Sequence, residues 1–252
     1  MQSQIMILMS TKQLVLITGV GKQTGIGFET ARQLANLGYQ VIITARKQST
    51  ADQLAGILIQ EGLDIVPLAL DVTDETMVKA VAEQVNRQFG KLDVLINNAT
   101  LFPDKFDTVS VDIADIKNVF DTNFTGAWAT IKYFVPLLKK SEHARIVNVS
   151  SGSGSYGGEE YSLLNPWRGV ISAYSISKLA LNGLTLKAAL DLKNDAILVN
   201  AVTPGITASY EILAKAGGRP VSEGAKSIVF AATLPKGGPT GKFFKDGKSI
   251  GW

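Results

Sequence analysis

Gln13-Leu14-Val15-Leu16-Ile17-Thr18-Gly19 runs directly into Val20-Gly21-Lys22-Gln23-Thr24-Gly25-Ile26-Gly27. A segment with Phe28, Ala31, Leu34, Ala35 and Leu37 at helical spacing follows, closed by Gly38. The first run is short, apolar and β-branched, the mark of a strand buried on both faces. The spacing after Gly27 is that of an amphipathic helix stopped by glycine. A glycine turn between them lets backbone approach a pyrophosphate, and the helix start offers unpaired N–H groups to it. Such a turn alone says little, but directly after a first strand it carries weight.

The same alternation continues along the chain. Strands are expected at residues 39–44, 64–70, 92–96, 144–149 and 196–201, with a short one near 241–245. Helices are expected at 49–61, 74–89, 112–140, around Tyr174 and at 222–232. Asn123 is a poor helix former in the middle of 112–140, and Pro136 should kink that helix. Strand-helix alternation without repeats implies an α/β fold: a single-domain, doubly wound parallel sheet of about seven strands with helices on both faces. Ligands then bind at the carboxyl ends of the strands, where Thr18-Gly19, Asp71, Asn97, Ser151 and Pro204-Gly205 converge.

Composition narrows the chemistry. With no cysteine there is neither disulfide nor thiolate, nor a soft metal site, and the single histidine, His143, lies in a polar run. No metal site and no Ser-His-Asp relay is expected. A net charge of +3 over 252 residues is too small to argue for nucleic acid or a membrane surface. The apolar residues 4–9 are too short to span a bilayer and lack a basic flank or cleavage signal. Residues 1–12 read as a frayed leader, 13–252 as the NAD(P)-binding catalytic domain, and the protein as cytoplasmic.

Tyr174 and Lys178, four residues apart, share one face at the start of a helix. A phenol of pKa about 10 is a weak acid at neutral pH, and a nearby ammonium pulls it toward the working range. Ser151, at the end of an apolar strand, can bring a hydroxyl to the same carbonyl oxygen. The bland alternative is a chance Tyr-x-x-x-Lys on an ordinary helix. Arg46 and Lys47, at the end of the second strand, stand where an NAD-preferring fold carries an acid for the ribose 2′-OH. A guanidinium there suits a phosphate instead, although both residues also read as solvated loop charges. Asp71 is either an acceptor for an adenine amino group or a helix cap.

The ordered set Thr18-Gly19, Gly25-Ile26-Gly27, Asp71, Asn97-Asn98-Ala99, Asn123, Ser151, Tyr174-x-x-x-Lys178, Asn200 and Pro204-Gly205 resembles the short-chain dehydrogenase/reductase family over nearly the whole chain. Thr44-Ala45-Arg46 and the tail 238–247, with Trp252, are similar to its carbonyl-reductase-like branch. The resemblance implies reduction of a ketone or aldehyde with NADPH, giving an alcohol and NADP+. It assigns proton transfer to Tyr174, orientation of the carbonyl oxygen to Ser151, and ribose binding with tuning of Tyr174 to Lys178. Asn123 would keep a relay water. The cofactor set would be Gly19, Gly21, Lys22, Thr24, Gly25, Ile26, Gly27, Arg46, Lys47, Asp71, Val72, Asn98, Ala99, Tyr174, Lys178, Pro204, Gly205, Ile206 and Thr207. Phe102, Tyr156, Trp167 and Tyr210, with Ser151, would line the pocket of an apolar or aromatic carbonyl substrate. Nucleic acid and membrane are not expected partners; monomer, dimer and tetramer all occur in the family, so assembly stays open.

Three departures stand out. Five residues separate Gly19 from Gly25, a longer spacing than usual, so the turn must bulge and Gly21 or Lys22 can add a phosphate contact. Thr100 replaces the usual glycine after Asn-Asn-Ala. The 22 residues between Ser151 and Tyr174 contain an insertion that carries Tyr156, Tyr161 and Trp167 and is expected to wall the cleft or cover it. Other-chemistry relatives (epimerase, dehydratase, enoyl reductase) and a non-catalytic NADP(H) sensor are the alternatives.

Overall fold

β1 (Leu14–Ile17) shows how the sheet is built. Its residues alternate by face, so Leu14 and Leu16 enter one core while Val15 and Ile17 enter the other, all at 3% exposure or less. A strand apolar at every position is stable only with helices on both sides. The computed structural model describes residues 12–102, 107–157, 162–164 and 171–252. Among them, β2 (Gln40–Ala45), β3 (Ile65–Ala69), β4 (Val94–Asn97), β5 (Arg145–Val149), β6 (Leu198–Val202), β7 (Phe243–Lys245) and β8 (Lys248–Ile250) join β1 in one sheet. The order is β3-β2-β1-β4-β5-β6-β7-β8.

Every neighbouring pair is parallel except β7 and β8. The sheet therefore has one strand more than the sequence implies. Asp246 and Gly247, at φ 51° and 77°, turn the chain back between Lys245 and Lys248. Two successive positive φ values suit a two-residue hairpin, and Asp-Gly is a favoured pair for it.

One face is covered by α3 (Glu75–Phe89), α5 (Gly126–Leu138) and α6 (Ser172–Asp191) through Val78, Val81, Phe134, Leu137, Leu181 and Leu184. The other is covered by α1 (Ile26–Asn36), α2 (Gln48–Gln60) and α8 (Val221–Ala232) through Phe28, Leu34, Leu54, Leu58 and Ile228. α4 (Ile113–Phe120) precedes α5, and a short α7 (Glu211–Lys215) follows β6. Strand order reverses between β1 and β4. This is the switch point at which open α/β sheets bind ligands.

The region expected as one helix at 112–140 contains a π turn over Asp121–Thr125, between α4 and α5. Asn123 is its central residue, and its side chain bonds to other parts of the chain. Pro136 lies inside the last turn of α5, and the helix continues to Leu138. An extra residue in a helical turn is a frequent companion of functional sites.

Candidate active site

The carboxyl ends of β1, β4, β5 and β6 open onto one cleft with two connected chambers. The larger has a volume of about 680 Å³ and is lined by Gly19, Gly21, Lys22, Gly25, Ile26, Gly27, Arg46, Asp71, Val72, Asn98 and Ala99. The smaller, about 140 Å³, is lined by Ser151, Tyr174, Lys178, Phe102, Tyr210 and residues 204–207. Ile26, Asn98, Thr100, Ser209 and Tyr210 belong to both.

The larger chamber is shaped by backbone that side chains would fill. Gly19 has φ +70°, and a Cβ there would stand 2.5 Å from the Ala99 Cα. At Gly27 a Cβ would lie 2.5 Å from the Asn98 side-chain amide. Asn98 Nδ2 donates to the Thr18 and Gly19 carbonyls at 2.8 and 3.3 Å, so the end of β4 holds the glycine turn in place. Backbone this close, beside the start of α1, fits a pyrophosphate. The extra residues form a turn closed by Gly25 N–H to Lys22 O at 3.1 Å. Its tip, Gln23-Thr24, is exposed, so Thr24 lies outside the cleft where the sequence had placed it within.

Arg46 borders the larger chamber, is exposed and forms no ion pair among the described residues. Lys47 is a second correction. It occupies the residue before α2 without capping the helix through its side chain, is exposed and lines neither chamber. Asp71 accepts from Thr73 N–H at 3.0 Å and Thr73 Oγ1 at 2.7 Å at the chamber wall, while Asp74 caps α3. Thr73, Asn118, Asp121 and Thr122 also line this chamber. Their polar side chains on unremarkable helix and turn positions gave no signal in the sequence.

In the smaller chamber Ser151 Oγ accepts from Ser153 N–H at 3.2 Å and from Ser153 Oγ at 2.9 Å. With its lone pairs so used, the Ser151 hydrogen is left to point elsewhere, and it bonds toward Tyr174. Ser153, Thr203 and Ile250 line the chamber without having been expected there. For Thr203 the adjoining Pro204-Gly205 was an available hint. Phe102 meets Tyr174 edge-on at 4.9 Å between ring centres and stacks on Tyr210 at 6.1 Å.

Tyr156 departs from expectation. It is 59% exposed and outside both chambers, and its N–H donates to Trp252 O at 3.0 Å. Trp167 and Tyr161 lie outside the described residues, as do the other insertion residues at 158–160, 165–166 and 168–170. The insertion's first turn is tied to the chain's last residues, since Ser155 Oγ donates to Gly251 O at 3.0 Å.

Asn123 uses its whole side-chain amide on protein groups. Its oxygen accepts from Leu101 N–H at 2.7 Å and Thr100 Oγ1 at 3.2 Å, and its nitrogen donates to Leu101 O and Ser177 Oγ. Any water held at Asn123 must therefore use its backbone.

Electrostatics at Tyr174 run against the sequence expectation. Burial pushes its pKa up to about 12, with the Ser151 hydrogen bond drawing it down and Tyr210 adding to the rise. Lys178, 2% exposed, is brought down to about 7 by burial. Its ammonium donates to Val149 O at 2.8 Å and sits 5.5 Å from the Tyr174 ring centre. Desolvation of both groups outweighs the mutual attraction that their spacing promises. Tyr174 is thus a protonated phenol, able to give a proton, beside an amine that titrates near neutrality.

A doubly wound sheet with a glycine turn at its switch point and a Ser-Tyr-Lys group one strand further on defines a nucleotide-binding oxidoreductase cleft. Residues 13–216 match the short chain dehydrogenase family model. The chain belongs to the short-chain dehydrogenase/reductase family, oxidoreductases that use nicotinamide cofactors, and within it is carbonyl-reductase-like. It is 35% identical to a short-chain dehydrogenase of Penicillium roqueforti, over 93% of each chain. It is 32% identical to (+)-neomenthol dehydrogenase of Arabidopsis thaliana, over 93% of this chain and 96% of that one. Among solved structures, the NADPH-bound carbonyl reductase from chicken fatty liver superposes with a TM-score of 0.82 at 26% identity, covering 96% and 99%.

Proposed function

We propose that the chain is an NADP(H)-dependent reductase that converts a ketone or aldehyde into an alcohol. The observation that carries this reading is the smaller chamber. Two hydroxyls, Ser151 and Tyr174, face a mostly apolar space walled by Phe102 and Tyr210, with Lys178 buried behind them. A bound reduced nicotinamide supplies the hydride. Gly19, Gly27 and the start of α1 would receive the pyrophosphate, and Lys178 would hold the ribose.

Tyr174 gives its proton to the substrate oxygen as charge grows there. Its raised pKa keeps that proton in place at neutral pH until an oxyanion is available. When a substrate carbonyl is present, the Ser151 hydrogen, turned away from Ser153, swings from Tyr174 to the same oxygen and fixes the carbonyl. Lys178 then stabilises the phenolate left on Tyr174 and, with a pKa near 7, is matched to replacing the proton. Asn123 holds Leu101 against α6 through Ser177, which sets the position of Phe102 next to the pocket.

The cofactor preference is read from Ala45-Arg46. No carboxylate stands at the end of β2 to repel a 2′-phosphate, and the exposed Arg46 guanidinium at the chamber edge suits one. NADPH and NADH oxidation, followed with a panel of ketones, aldehydes and diketones, tests the proposal. Turnover with NADPH on apolar carbonyls supports it, and binding of cofactor without turnover on the whole panel favours a sensor.

A further inference from the structure

Lys22 is the residue whose position the sequence least foretells. It stands at the base of the turn over residues 22–25, and its side chain crosses the cleft to the segment that follows β6. The ammonium donates to Ser209 O at 2.5 Å and lies 3.5 Å above the centre of the Tyr210 ring. Both partners come from one distant segment, Ser209 lying 187 positions away in sequence with Tyr210 next to it. Gly25 makes room for this reach, because a Cβ there would meet the Lys22 side chain at 3.2 Å.

The segment carrying Ser209 and Tyr210 is firmly held at its base. Arg219 donates to Pro204 O at 2.9 Å and to Asp246 at 2.7 Å, and pairs backbone with Ile206 and Ala208. Its far end is held to the glycine turn by Lys22. A ligand reaching from Arg46 to Tyr174 must pass the residues shared by the two chambers, Ser209 and Tyr210 among them.

We propose that Lys22 and Tyr210 form a clasp that closes over the bound dinucleotide and retains it, while holding Tyr210 against Phe102 in the substrate chamber. This rests on the nicotinamide-cofactor reading and adds to it a role for Lys22 other than a phosphate ligand. A phosphate ligand acts alone, whereas a clasp acts as a pair. The Ser209 carbonyl survives any change at Tyr210, so losing the ring weakens the clasp less than losing the cation. Burial lowers the Lys22 pKa, in keeping with an ammonium that has exchanged water for ring and carbonyl.

The test is the dissociation rate of NADPH from the full chain, measured by stopped-flow displacement, for wild type, Lys22→Met, Tyr210→Leu and the double variant. The clasp predicts release about tenfold faster in Lys22→Met and about threefold faster in Tyr210→Leu. The double variant should be no faster than Lys22→Met, and Lys22→Arg, which keeps a cation over the ring, should stay near wild type. Multiplying effects in the double variant, or a Tyr210→Leu protein that releases NADPH at the wild-type rate, overturn the clasp and leave Lys22 an independent phosphate ligand. A wild-type chain that holds neither NADPH nor NADH overturns the cofactor reading and the clasp with it.

Discussion

The Lys178 ammonium gives its hydrogen bond to Val149 O at 2.8 Å and stands 5.5 Å from the centre of the Tyr174 ring. A cation buried against a neutral carbonyl keeps little of the stabilisation that water gave it, which is why its pKa falls to about 7. In the unfolded chain Lys178 holds its proton to about pH 10.5, so between the two values the unfolded state binds more protons. Stability contributed by this group therefore rises with pH from 7 to about 10. Lys178→Met removes the effect. The variant should unfold at a higher denaturant concentration than wild type at pH 7, by on the order of a few kcal/mol. The gap should narrow by pH 9.5. Parallel denaturation curves at both pH values would show that the buried amine costs the fold nothing.

The proposed role of Arg46 in cofactor choice is open to direct test. A charge-assisted bond to a 2′-phosphate is worth roughly 1.5–3 kcal/mol, which is about ten- to a hundredfold in affinity. Wild type should favour NADPH over NADH in kcat/KM by that order. Arg46→Ala should erase most of the preference by weakening NADPH alone, and Ala45→Asp should reverse it. Equal use of both cofactors by the wild type would mean that Arg46 stays in solvent.

The two asparagines at the end of β4 divide their work. Asn98 holds the glycine turn, whereas Asn97 is 4% exposed and belongs to a buried polar chain. Thr130 Oγ1 donates to Asn97 Oδ1 at 2.6 Å, Asn97 Nδ2 to Asn148 Oδ1 at 2.9 Å, and Asn148 Nδ2 to Thr185 Oγ1 at 2.9 Å. The chain ties β4 and β5 to α5 and α6 directly beneath the site. Thr130→Val leaves Asn97 Oδ1 buried without its donor, at a cost of about 1–3 kcal/mol. Thermal unfolding should show Tm lower by several degrees, with KM for NADPH unchanged. A Tm within a degree of wild type would place the donor elsewhere.

Ile250 reaches the smaller chamber from β8, and Gly251 beside it accepts a hydrogen bond from Ser155. Enlarging it with Ile250→Phe should exclude bulky ketones while small aldehydes are still reduced, with cofactor affinity intact. Kinetics unchanged across a size series of substrates would show that the chamber is bounded by other residues.

Most of the fold was legible because its signals are local. Strands apolar at every position, helices with one apolar stripe and glycines at strand ends are each read from a few neighbouring residues. Ser151, Tyr174 and Lys178 were legible as well, since position at a strand end and four-residue helical spacing bring them together. Depth was not legible. Spacing places an ammonium near a phenol but says nothing of how far both are desolvated, and desolvation decides their pKa values. β8 was missed although Asp246-Gly247 is a hairpin signal, because only three residues follow on its far strand. Tyr156 was drawn into the pocket on its aromaticity alone, and its ring stands in solvent. The Lys22–Tyr210 contact joins distant segments, and no local pattern announces such a pairing.

The proton donor is probed by loss of one hydroxyl. Tyr174→Phe keeps the ring that packs on Phe102 and removes only the hydroxyl. Single-turnover reduction of an accepted ketone, with NADPH oxidation followed by absorbance at saturating cofactor, should slow by about a hundred- to ten-thousandfold. NADPH affinity should stay within a small factor of wild type. Carbonyl reduction by Tyr174→Phe at a rate near that of the wild type would contradict the account.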